Sequence, residues 1–184
     1  MTVALILIDF QKGFDAPAWG QRNNPDAEAN AIKLLTRWRK NGGPLFHVQH
    51  VSQDPDSLLS GEGFDFREGL EPQHGEVVIQ KSVNSAFIGT DLEKRLRDAG
   101  ISNLVICGLT TPHCVSTTTR MAGNLGFDVT LVADACAAFT SNANTSWNPD
   151  AVPLHAQEIH DMALSHLHGE FAQVVNSLDI LREV

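Results

Sequence analysis

Residues Val3 to Ile8 form an unbroken apolar run that stops abruptly at Asp9. A strand with one face in water alternates apolar and polar residues, so a continuous run belongs to a strand covered on both faces, as in a parallel sheet between helical layers. The same unit recurs. Leu45–Val51, Val77–Gln80, Asn103–Cys107, Val129–Ala133 and Ala172–Val175 read as further strands, the fourth broken by Gly108. Between them lie helical signals. Ile32, Leu34, Leu35 and Trp38 recur at roughly helical spacing within Asp26–Asn41, and Gly42-Gly43 follows where a helix stops. Thr90 and Glu93 form a candidate capping box for a helix closing at Gly100, and Pro112 suits the first turn of a helix reaching Gly126. Ala156–Leu167 and the tail after Val175 read as further helices. Parallel neighbours need right-handed crossovers, so this alternation predicts a three-layer α/β/α fold with a mainly parallel, six-stranded sheet.

At 184 residues, the chain suits one domain spanning 1–184. Ser52–Gly75, rich in Ser, Asp, Pro and Gly, reads as a long loop beside a site. A net charge of -9 argues against nucleic acid or an anionic membrane surface, since both demand clustered Lys and Arg, and leaves a small molecule as the expected partner. There is no apolar run of membrane-spanning length, and the first ten residues lack the marks of a signal peptide, so a cytoplasmic location is expected. Three cysteines without C-x-x-C spacing fit neither a disulfide framework nor a zinc knuckle. Cys107 and Cys136 read as core.

Asp9, Lys81 and Cys114 all follow the carboxyl ends of expected strands, the rim where open α/β sheets bind ligands. Their chemistry is complementary. A thiol near a helix start and a lysine is expected to have a lowered pKa, and a neighbouring carboxylate can take its proton and return it to a leaving nitrogen. The turn Gly108-Leu109-Thr110-Thr111 leaves backbone N–H groups near Cys114 that can stabilise an oxyanion.

Leu7-Ile8-Asp9-Phe10-Gln11, Lys81 with Ser85-Ala86-Phe87, and Gly108-Leu109-Thr110-Thr111-Pro112-His113-Cys114-Val115 together resemble the isochorismatase-like cysteine hydrolase family. The resemblance runs from about Val3 to Val175 and is most specific at the glycine-to-cysteine motif. It implies a Rossmann-like sheet of strand order 3-2-1-4-5-6, a triad of Asp9, Lys81 and Cys114, a cis peptide at Leu109-Thr110, and an oxyanion hole from the N–H groups of Thr110 and Cys114. Relatives of this kind include nicotinamidases, N-carbamoylsarcosine amidohydrolases and ureidoacrylate hydrolases, commonly dimers or tetramers, so a homo-oligomer is expected. The presence of Cys114 favours hydrolysis of a C–N bond in a small amide, ureide or carbamoyl compound through a thioester. Vinyl-ether cleavage of the isochorismatase type and a non-catalytic, redox-sensing thiol are the alternatives.

Where nicotinamidases carry an Asp-x-His metal motif, this chain reads His47-Val48-Gln49-His50. His47 and His50, three apart on a strand, face opposite sides, so neither metal nor cofactor is expected. His155, His160, His166 and His168 read as a solvated helix face, leaving His113 as the histidine nearest the pocket. Gln11 belongs to the motif, and Phe14, Trp19, Phe87 and Trp147 lie near strand ends or loops, so these residues and His113 are the candidate pocket lining.

Overall fold

The computed structural model describes residues 2–182. Six strands form one parallel sheet in the order β3-β2-β1-β4-β5-β6. They are β1 (Val3–Ile8), β2 (Leu45–His50), β3 (Val77–Lys81), β4 (Asn103–Leu109), β5 (Asp128–Ala137) and β6 (Gln173–Val175). The helices are α1 (Ala27–Asn41), α2 (Leu92–Asp98), α3 (Ser116–Asn124), α4 (Ala156–Ser165) and α5 (Ser177–Arg182). Helices α1 and α5 pack together on one face, while α3 covers β5 on the other and α4 packs on the turn after β4. Ala4 to Ile8 are buried throughout, as an apolar run between two helical layers requires. Among the described residues, no helix is long and apolar enough to cross a membrane.

Several boundaries differ from the sequence reading. Strand β4 runs through Gly108 to Leu109, and Gly108 is there because the neighbouring strand comes too close for a side chain. At φ +146°, a Cβ on Gly108 would stand 2.1 Å from the Ile8 carbonyl oxygen, on the strand it pairs with. Gly108→Ala is therefore expected to cost roughly 2–3 kcal/mol, read as a fall in the urea midpoint. An unchanged midpoint would contradict that close approach. Strand β5 extends to Ala137 because extra residues bulge out between the pairs Ile106–Leu131 and Gly108–Cys136. The bulge puts Asp134 where it accepts from Ser177 N (2.6 Å), tying α5 to the sheet. The Thr90–Glu93 capping box does not form. Helix α2 starts one residue later than that box requires, and Thr90 instead donates to Ala86 O (2.6 Å) and accepts from Leu92 N (3.3 Å).

At the other end of β2, Glu76 fixes the long 52–75 loop to α1. It accepts two hydrogen bonds from Arg39 (2.7 and 2.9 Å), one from Gln73 N (2.8 Å) and one from His47 Nε2 (2.8 Å). The Arg39 guanidinium is the main cause that holds the Glu76 carboxyl down at about 2, against an ordinary 4.5. A depressed carboxyl contributes stability in full above its unfolded value and loses it as pH falls through the folded one. Wild type should thus lose up to about 3 kcal/mol from this group between about pH 4.5 and pH 2. Glu76→Gln should flatten that part of the stability profile, measured by urea melts across the acid range. An unaltered slope would show that Glu76 is not the source.

Candidate active site

Four adjacent strands, β3, β2, β1 and β4, end on one rim, and each brings one chemically active residue there: Lys81, His50, Asp9 and Cys114. Strand order reverses between β1 and β4, so Asp9 and Cys114 flank the switch point.

Asp9 breaks β1 by adopting φ 51°, a left-handed conformation that a short polar residue tolerates better than most. Its N–H still bonds to Val48 O (3.0 Å), and its carboxylate is buried. Lys81 ends β3 in register with His50. Its Nζ donates to Asp9 Oδ2 (2.6 Å), to His50 Nδ1 (3.1 Å) and to Cys114 Sγ (3.3 Å). A buried ammonium is costly unless its hydrogen-bonding capacity is filled, and here the three protons have three acceptors. Burial, then the Lys81 charge, lowers the His50 pKa, so the ring is neutral. The contact with Lys81 assigns Nδ1 as acceptor and places the ring proton on Nε2.

Cys114 lies within one π-helical turn, Thr111–Val115, that leads into α3. The peptide before it, Leu109-Thr110, is cis. His113 N (3.1 Å) and Val115 N (3.3 Å) both bond to Thr110 O, and the Thr111 hydroxyl meets His160 Nδ1 at 2.8 Å. This corrects the expected solvated position of His160, which is buried because α4 packs its inner face on the turn.

The thiol departs from expectation too. Burial, then the Asp9 charge, pushes Cys114 up to about 12 against the opposing pull of Lys81. The helix start and the lysine do not win, because only 8% of the residue is exposed. Burial also raises Asp9, despite Lys81. The resting site is therefore a neutral thiol beside a carboxylate whose basicity has been raised. Proton transfer between two groups shifted in the same direction is easier than to an ordinary carboxylate, and Asp9 Oδ1 is buried without a partner among the described residues.

Asp9, His50 and Cys114 each offer one ligand atom, all within 4.8 Å of one another, and this O, N and S set suits zinc. Lys81 Nζ contacts all three, so a metal ion binding there would have to displace the ammonium.

The expected pocket residues scatter. Gln11 is buried and committed to backbone, accepting from His50 N (2.8 Å) and donating to His50 O and Phe64 O (both 3.0 Å). Phe14 and Trp19 form an aromatic cluster with Phe139. Phe87 stacks on Phe127, which precedes the amino end of β5, away from the carboxyl-end rim. Trp147 is 81% exposed, and His113 is exposed next to Cys114. The residue that sequence reasoning passed over is His50. Its signal was the one used for Asp9 and Lys81, a polar residue closing a buried strand.

Residues 3–179 match the model of the isochorismatase domain. The chain is 47% identical over 182 residues to an isochorismatase-family protein of Bacillus subtilis, YrdC, covering 98% of this chain and 95% of that protein. It is 30% identical over 154 residues to the ureidoacrylate amidohydrolase RutB of Klebsiella pneumoniae, covering 64% of this chain and 65% of RutB. A crystal structure of an isochorismatase-family hydrolase from Chromobacterium violaceum superposes with a TM-score of 0.92 at 44% identity, covering 98% of this chain and 92% of that one. With its strand order and its rim of Asp, Lys and Cys, the chain belongs to the isochorismatase family of hydrolases.

Proposed function

We propose that the protein hydrolyses the C–N bond of a small amide, ureide or carbamoyl compound, with Cys114 as nucleophile. The observation that carries this reading is the buried Lys81 ammonium, in contact with both the Asp9 carboxylate and the Cys114 sulfur. The RutB name, a ureidoacrylate amidohydrolase, supports the same bond type.

As substrate enters, Asp9 takes the thiol proton and the sulfur attacks the carbonyl carbon, with Lys81 holding the developing thiolate. The N–H groups of Thr110 and Cys114 stabilise the oxyanion of the tetrahedral intermediate. Asp9 passes its proton to the leaving nitrogen, the C–N bond breaks, and a thioester remains on Cys114. Water then gives a proton to Asp9 and attacks the thioester. The acid product leaves, and the sulfur regains its proton from Asp9. All protons return to their starting places, so the cycle needs no cofactor.

A panel of carboxamides, ureides and carbamoyl compounds, followed by intact-mass analysis after acid quench, tests the reading. Turnover of at least one class with an acyl adduct mapped to Cys114 is expected. Wild-type protein that neither turns over any of them nor carries an adduct would remove the proposal.

A further inference from the structure

We propose that His50 is a positioning residue for this reaction, whose ring accepts one N–H of the Lys81 ammonium and holds that cation in simultaneous contact with Asp9 and Cys114. The inference rests on the reading of Cys114 as nucleophile.

The sheet makes such a support necessary. Lys81 ends β3, while Asp9 follows β1, with β2 between them. Neighbouring strands are about 4.8 Å apart, so the lysine must reach over the end of β2, a span of roughly 10 Å. The residue it crosses is its register partner, His50. A four-carbon side chain has several rotamers, and only those that place Nζ on both Asp9 and the sulfur are productive. Two acceptors define a line about which the ammonium can still swing, whereas a third, His50 Nδ1 at 3.1 Å, fixes it.

His50 is itself held through its backbone. Gln11 accepts from its N–H and donates to its carbonyl, so the ring is presented from a fixed point without using its own side-chain atoms. The lowered pKa of His50 agrees with this role, because only a neutral ring has a lone pair to offer a cation. The ionisable groups facing the ring are Lys81, Asp9 and the Cys114 thiol, and of these Lys81 opposes its protonation while Asp9 favours it.

The test compares full-length wild type, His50→Leu and His50→Asn. Leu keeps bulk but accepts nothing, while the Asn Oδ1 takes the place of Nδ1. The first readout is the rate of Cys114 alkylation by iodoacetamide at fixed pH between about 7 and 9.5, mapped by peptide mass. His50→Leu should slow it by about 10- to 100-fold, the worth of one hydrogen bond to a charged group. His50→Asn should recover to within about threefold of wild type. On a substrate found by the panel, kcat should follow the same order with KM nearly unchanged. If Leu matches wild type, or if Asn is as impaired as Leu, the inference is overturned. Should the Leu variant melt early, His50→Gln, whose oxygen falls at the Nε2 position, replaces it with the same expected loss. Alkylation needs no substrate, so failure of the hydrolase reading, seen as wild-type inactivity on the panel, stays distinct from failure of this one.

Discussion

Cys114→Ala is expected to lower kcat by on the order of 10⁴-fold or more and to abolish the acyl adduct. The size follows from the way the site is built. Lys81 and Asp9 have no sulfur to activate once Cys114 is gone, and residues that act as a unit lose their effect together. The fold should be largely unharmed, since the thiol's polar interactions are those with Lys81 and Asp9 and a long contact of 3.9 Å to Asn84 Oδ1, and none of them ties one element of the sheet to another. Steady-state assays and intact mass on a substrate from the panel decide it. Cleavage that survives in the Ala variant would contradict a thioester route and point to direct attack by water, the pattern of vinyl-ether hydrolysis.

Asp9→Asn should combine a catalytic loss of about 10²–10⁴-fold with a destabilisation of about 3–5 kcal/mol. The second effect arises because both side chains of the Asp9–Lys81 pair are fully buried, 2.6 Å apart. Removing the negative partner leaves a buried ammonium with only neutral acceptors, which costs more than the intact pair ever contributed. Lys81→Met added to Asp9→Asn takes away the stranded charge. Most of the lost stability should return, while activity stays lost. Urea midpoints of the two single variants and the double variant form the cycle that measures this. Additive losses would mean that the pair is not coupled as the 2.6 Å contact requires.

The pair also explains why the thiol pKa went against expectation. From residues alone, a cysteine near a helix start and a lysine looks activated in its resting state. In the folded protein, the lysine charge is already shared with Asp9, and burial acts on the thiol without an equal counterweight. In the proposed cycle, activation is therefore deferred to the moment Asp9 accepts the proton.

Much of the site was legible because α/β sheets convert a one-dimensional pattern into a place. An apolar run must be a buried strand, a polar residue closing it must lie on the rim, and Asp9 and Lys81 follow from that. Gln11 and Trp147 show the limit. Gln11 through its motif and Trp147 through its place near a loop each read as able to line a pocket, yet Gln11 spends its amide on the backbone of His50 and Trp147 stands in solvent. Such choices depend on which partner comes near, which local sequence does not encode. His160 is a similar case, polar in a helical stretch and therefore read as solvated, but turned inward to meet Thr111.

By itself, then, the chain determined its layers, its parallel strands and the three residues that meet at the rim, because hydrophobic periodicity and strand ends are local properties. Only the tertiary structure decided that the rim has a fourth member. The order β3-β2-β1-β4 forces Lys81 to cross β2 on its way to Asp9 and Cys114, and at that crossing stands His50.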